Sequence, residues 1–215
     1  MDLTLPLLFF FFVIIPSSIL HEYAHGWVAD KLGDPTPRLS GRLTINPVPH
    51  IDPVGTLLLP VGLFLLTHGS FMFAYAKPVP FNPLALRWQR FGSAAVALAG
   101  PLTNLIVAFV CGGLLQIAPL SNWTLILAVV TYANVMLAVF NLVPIPPLDG
   151  SKILYALLPD RYYAAKVWLE RYGYFILIFF IFFLFSAILS PVIHWIFGLA
   201  AGRVGELVLF QGLGA

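Results

Sequence analysis

Four apolar runs, near residues 3–29, 91–118, 123–143 and 172–200, decide what this chain can fold into. Each is long enough to cross a bilayer, which takes about 20 residues of α-helix. A backbone inside lipid has to satisfy its own hydrogen bonds, so runs of this length read as membrane helices. The composition agrees: 60% of residues are hydrophobic, 9% are charged, and the mean hydropathy is +0.94. A soluble domain is about one-quarter charged. The sequence predicts an all-α polytopic membrane protein with about 4–6 transmembrane helices.

A fifth apolar run, 54–66, is shorter and carries Pro60 with Gly55 and Gly62. It reads as a re-entrant segment. Pro6 suits a helix start, Pro16 a kink in the first span, and Gly33 followed by Asp34-Pro35 a helix stop. Short membrane-associated β-strands are expected at Arg42–Ile45 and Phe71–Tyr75, where β-type residues lie among Gly, Pro and Asn. Residues 83–90 read as a short interfacial helix. The run 172–200 holds Ser190-Pro191 and reads as one kinked span or as a span plus a hairpin arm. Residues 1–203 are expected to form one domain, with a core at 5–160 and a C-terminal helical arm at 172–203. The N-terminus lacks the basic region and cleavage site of a secretory signal, and reads as a retained span. The tail 204–215 loosely resembles a protease-tag remnant in scrambled order and is set apart from the fold.

The net charge of +2 argues against nucleic acid as a partner. Cys111, the lone cysteine, forms no intrachain disulfide and reads as a small core residue. Charge placement predicts the topology. Lys31, Arg38 and Arg42 follow the first span, Lys77, Arg87 and Arg90 precede the second, and Lys152, Arg161, Lys166 and Arg171 lie between 143 and 172. If 54–66 dips in and returns, all of these share one side, which the positive-inside rule makes cytoplasmic. The N-terminus is then expected outside.

The first span ends in "LHEYAHGW". Ionisable residues at membrane depth are costly and mark function. At about 100° per residue, His21 and His25 lie about 40° apart on one helix face, so both imidazoles can ligate one Zn²⁺. Glu22 sits on the adjoining flank, where it can act as a general base. The chain has five histidines and nine acids, so three of these crowded into one turn argue for a metal site. A third ligand is needed. Asp149 is the leading candidate, because "NLVPIPPLDG" breaks the helix with three prolines, and irregular backbone at membrane depth lines a wet cavity or lies buried in protein. With 54–66 re-entrant, Asp149 returns to the side of His25. His50 and Asp52 are the runners-up.

Three motifs in order, "HEYAH" (21–25), "AGPLTN" (99–104) and "NLVPIPPLDG" (141–150), resemble those of the site-2 protease family of intramembrane zinc metalloproteases. The resemblance covers roughly residues 5–160. It implies one zinc ion held by His21, His25 and Asp149, with Glu22 as the base. It also implies that Asn141 and the prolines after it, Pro144 and Pro146, help hold the substrate strand. Asn104 is a further candidate for substrate contact. The stretches 37–50 and 69–76 resemble the family's membrane-associated β-region. Unlike some relatives, the sequence has no PDZ-sized insertion between the 91–118 and 123–143 spans.

The expected activity is therefore hydrolysis of a peptide bond within or near a transmembrane helix of a membrane-protein substrate, as in regulated intramembrane proteolysis. The expected partners are that helix and the lipid bilayer, with room for a regulatory membrane partner. The active site is expected near the cytoplasmic side. The alternatives are a membrane zinc carrier or sensor, a catalytically silent helix-binding homologue, and a lipid-directed enzyme.

Overall fold

The structure, a computed structural model, describes residues 10–68, 76–119 and 121–211. Helix α1 (Ile15–Lys31) continues a stretch of wider, π-type turns at Phe10–Ile14, and Pro16 sits at the junction. The helix ends where Gly33 turns to φ 104°, a conformation that favours glycine. Asp34, fully buried, then accepts from the backbone N–H and the hydroxyl of Thr36 at 3.0 and 2.5 Å.

The short apolar run is helical. Asp52 caps it by accepting from Val54 N and Gly55 N, and π-type turns at Pro53–Leu58 lead into α2 (Leu59–Leu66). Fourteen α-helical residues would rise about 21 Å, short of the roughly 30 Å hydrocarbon core. Lys77 N donates to His50 O at 3.0 Å, which brings the chain before and after this run together.

After a single turn at Pro83–Ala85, α3 (Gln89–Ile117) and α4 (Asn122–Asn141) follow. A reciprocal Ser121–Thr124 capping box starts α4. Next come α5 (Asp149–Leu157), α6 (Tyr163–Phe179), π-type turns at Phe180–Leu189, and α7 (Ser190–Glu206). Among the described residues, three helical runs are long and apolar enough to cross a membrane: Arg90–Ile117, Trp123–Asn141 and Asp160–Leu209. Large apolar side chains such as Phe175, Phe182 and Phe183 are about 70% exposed on the last run. On a soluble protein they would form an anomalous patch, whereas on an integral membrane protein they meet lipid.

Helix α3 is the central element and packs against α1, α4, α5 and α7. Leu177 and Phe180 pack beside Val143 and Leu148, while Phe197, Ala201 and Leu209 pack beside Leu115 and Ala128. The final run thus passes back along α4 in the opposite direction. Close approach depends on glycine. A Cβ on Gly112 of α3 would lie 2.5 Å from Ala200 O, and one on Gly173 of α6 would lie 2.6 Å from Pro146 Cβ. At Gly202 (φ 60°, ψ −167°) the helix breaks, and the residues after it pack beside Leu115 and Phe197.

The fold corrects one expectation. Arg42 is irregular and residues 43–45 form bends, and no strand occurs among the described residues. Its groups are engaged locally: Arg42 Nη1 donates to Pro49 O, and Thr44 O accepts from His50 Nε2. The other expected strand, Phe71–Tyr75, lies outside the described residues. Residues 83–90 hold only the one turn before α3 begins.

Candidate metal centre

His21 and His25 project from one face of α1, as an i, i+4 pair must. Their rings lie edge-to-face with centroids 4.5 Å apart. The donor atoms of His21, Glu22 and His25 all lie within 4.8 Å of one another. Asp149, at the first turn of α5, joins them: its Oδ2 is 3.1 Å from His21 Nε2 and 3.1 Å from His25 Nε2. All three side chains are buried, at 7–8% exposure. Asp149 Oδ1 faces Lys152 Nζ at 3.5 Å, which leaves Oδ2 for the histidines.

The hydrogen bonds behind the site determine which atoms carry protons. Val130 O is a carbonyl and only accepts, so Asn134 must present Nδ2 to it, at 2.9 Å. Asn134 Oδ1 is then the acceptor for Asn104 Nδ2, at 2.8 Å. Asn104 Oδ1 is thereby turned to His21 Nδ1, 2.6 Å away, which must be the N–H. His25 Nδ1 likewise donates to Val96 O at 2.6 Å. In the neutral imidazoles both Nε2 atoms therefore carry lone pairs, and both face a carboxylate oxygen. Three electron-pair donors converge with no proton between them, an arrangement that attracts a cation. Two ligands on a tetrahedral zinc are about 3.3 Å apart, so the donor set fits the ion.

Helix α3 closes over the site at Gly100. A Cβ there would lie 2.5 Å from His21 Nε2 and 2.6 Å from His25 Cε1. Only glycine leaves the two imidazoles their positions. Gly150 plays a similar part beside Asp149, since a Cβ there would lie 2.2 Å from Leu142 O. That tight turn after the Pro144–Pro147 break carries the carboxylate back to α1.

Glu22 is held from the opposite side. Its Oε2 accepts from Val79 N at 2.9 Å. Val79 belongs to an extended strap, residues 76–82, which is tied to the end of α1. Asn82 N donates to Asp34 Oδ2 at 2.5 Å, and Arg87 N donates to Leu32 O at 2.9 Å.

The chain is 36% identical over 211 residues to "Putative zinc metalloprotease YwhC" of Bacillus subtilis (strain 168), covering 93% of this chain and 90% of that protein. It belongs to the site-2 protease family. The family model described as "Peptidase family M50" matches residues 112–185, a stretch that includes Asn141–Gly150. "Putative zinc metalloprotease Rip2" of Mycolicibacterium smegmatis is 32% identical, over 75% of this chain and 62% of that protein. "Zinc metalloprotease MJ0392" of Methanocaldococcus jannaschii is 28% identical, over 71% of this chain and 35% of its own length. No solved structure matches. As a member of the site-2 protease family, the chain is an integral membrane metalloprotease, and the names of its relatives imply zinc.

The other candidate residues lie elsewhere. His50 is buried, and its Nε2 donates to Thr44 O at 2.8 Å; Asp52 caps the short helix. Neither joins the cluster. Asn104 is fully buried behind His21, and Pro146 is buried against Gly173, so both have protein partners in place of an open face. Pro144 is exposed, and Asn141 is half-buried with Nδ2 donating to Leu137 O at 2.9 Å. Sequence reasoning did not single out Asn134, Asp34 or Val79. Asn134 had a signal, being the amide in the middle of an otherwise apolar span. Val79 had none, because it acts through its backbone.

Proposed function

We propose that the protein is an intramembrane zinc metalloprotease that cuts a peptide bond within or near a transmembrane helix of a membrane-protein substrate, as in regulated intramembrane proteolysis. The observation that carries this reading is the convergence of His21 Nε2, His25 Nε2 and Asp149 Oδ2, with both Nδ1 protons committed to acceptors. In this reading the three hold one zinc ion, and Glu22 is the base. Zinc supplies the Lewis acidity that polarises a scissile carbonyl and acidifies water. Glu22 takes the proton of the attacking water on Oε1, because Oε2 is held by Val79 N–H. It passes that proton to the nitrogen as the C–N bond breaks. Before this, the substrate helix has to unwind locally, since its backbone groups are bonded to one another. Asn141 and Pro144 stand at the break beside Asp149, where a freed strand would lie.

The topology belongs to the same reading. The excursion 51–76 starts and ends at the His50–Lys77 hydrogen bond, which supports a re-entrant segment. The basic loops then share the cytoplasmic side, the N-terminus is outside, and the metal centre lies near the cytoplasmic end, within reach of water. Residues 1–203 form one domain in this scheme, but the expected separation of the tail is corrected for its first part, because Val204, Val208 and Leu209 pack into the same core. The carrier alternative finds few further ligands for a path, because Arg90–Ile117 and Trp123–Asn141 contain no Asp, Glu or His.

The test is reconstitution of the full chain with a panel of single-pass helices, beside Glu22→Gln and Asp149→Ala. Glu22→Gln keeps its zinc and cuts nothing; Asp149→Ala loses zinc. Wild-type protein without zinc, or zinc flux without cleavage of any helix, overturns the proposal. Full zinc content in Asp149→Ala removes that residue from the ligand set.

A further inference from the structure

One turn before Glu22 on α1 lies a cavity of about 70 Å³. Its walls are almost wholly apolar and include Ile15, Ser18, Ala76 and Leu137, with His50 and Thr56 from the loop that leads into the short helix. Ser18 is the i−4 neighbour of Glu22, so the cavity lies along the face of α1 that carries the proposed base.

His50 gives the cavity its chemistry. The residue is 1% exposed. Its Nε2 must carry the proton, because the 2.8 Å partner is the carbonyl Thr44 O. Nδ1 is then an acceptor, and it has no hydrogen-bond partner among the described residues. A buried acceptor left unpaired is costly, and such a group calls for a donor that arrives with a ligand. A mostly apolar cavity lined by a residue with an unpaired acceptor suits an apolar side chain whose own backbone N–H is unpaired. An intact transmembrane helix offers no such N–H, whereas a locally unwound one does.

We propose that this cavity receives an apolar side chain of the substrate, of leucine or isoleucine size, within two residues of the scissile bond, and that His50 Nδ1 accepts the backbone N–H freed there. The register follows from geometry. One helical turn on α1 is about 5.4 Å and an extended chain advances about 3.3 Å per residue, so the cavity is one to two residues from the cut. The assignment rests on the protease reading above. Its consequence is that the enzyme selects substrates by the side chain beside the unwound site.

The experiment places Ala, Leu or Phe at each of the two positions on either side of the mapped cleavage bond and compares kcat/KM. Wild type favours Leu over Ala at one of these positions by roughly tenfold or more. Ala76→Leu and, independently, Leu137→Phe fill the cavity and bring that ratio close to one, with zinc content unchanged. His50→Leu lowers kcat/KM for the Leu substrate, and His50→Gln, which keeps an acceptor, restores part of it. In zinc-loaded Glu22→Gln, photo-leucine at the preferred position crosslinks to the peptides 14–19 or 47–56. A Leu/Ala ratio that neither filled variant changes, or crosslinks confined to other peptides, overturns the pocket and leaves the protease reading standing. A wild type that cuts no helix overturns both.

Discussion

At the scale of single residues, the two imidazoles are held by buried atoms behind them, at Gly100, Asn104 and Val96. Gly100 supplies space. Gly100→Ala drives a methyl into both rings, so we expect zinc affinity to fall by more than about 100-fold. Gly113→Ala, on the same helix with nothing within 4 Å, should leave zinc affinity unchanged, as competition with a chromogenic chelator would read. The buried amides supply orientation. Asn104→Leu removes the acceptor for His21 Nδ1 and should weaken zinc by about 10–100-fold. Asn134→Leu leaves Asn104 free to turn its amide, and should give a smaller loss in the same direction. Asn104→Asp, which keeps an acceptor oxygen toward His21, should recover affinity in the same titration.

At the scale of elements, the strap 76–82 does what no regular element does here. Prolines at 78, 80 and 83 hold it extended and remove donors, and the N–H groups of Val79 and Asn82 go to Glu22 and Asp34. Val79→Pro deletes one hydrogen bond to a carboxylate. It should lower kcat by about tenfold or more, at unchanged zinc content. Asp34→Ala should give the same signature, because it frees the other end of the strap. A loss of zinc in either variant would show that the strap holds the metal ligands and not Glu22. The strap also shows why part of this site was hidden in the sequence. HExxH is legible because four residues of helix fix the relation of its two histidines. A backbone donor that comes from 57 positions away has no residue type to announce it. The expected strand at Arg42–Ile45 failed for a related reason. β-type composition offers an edge, but a strand exists only when a partner takes its hydrogen bonds, and here the nearby loop takes those groups instead.

At the scale of the whole molecule, α3 and α4 form an antiparallel pair that returns the chain to the end of α1, and the final run passes back along them. Close contacts at Gly112 and Gly173 hold that run in place. Gly112→Leu should force α3 from α7 and destabilise the protein by about 1–3 kcal/mol or more, read as a lower Tm of the detergent-solubilised chain. The proposed topology is checked in a Cys111→Ala background. Cysteine at Ser121 should react with an impermeant thiol reagent from outside the cell. Cysteine at Asp160 should react only after the membrane is opened. Cysteine at Ser40, in the loop after α1, should share the protection of Asp160, and labelling of Ser40 from outside with Asp160 protected would contradict the re-entrant assignment of 54–66.

The sequence by itself determined the membrane class, the run lengths, the two histidines on one helix face and the break that carries Asp149. These rest on local rules: the rise and twist of a helix, the backbone chemistry of proline, and the cost of charge in lipid. Only the tertiary structure decided which nitrogen of each imidazole is free, which oxygen of Asp149 meets them, what holds Glu22, and where a cavity opens beside it. Those are distances of about 3 Å between elements far apart in the chain. They are set by how closely α1, α3 and α5 approach, and that approach is limited at Gly100 and Gly150 by the absence of a single carbon atom.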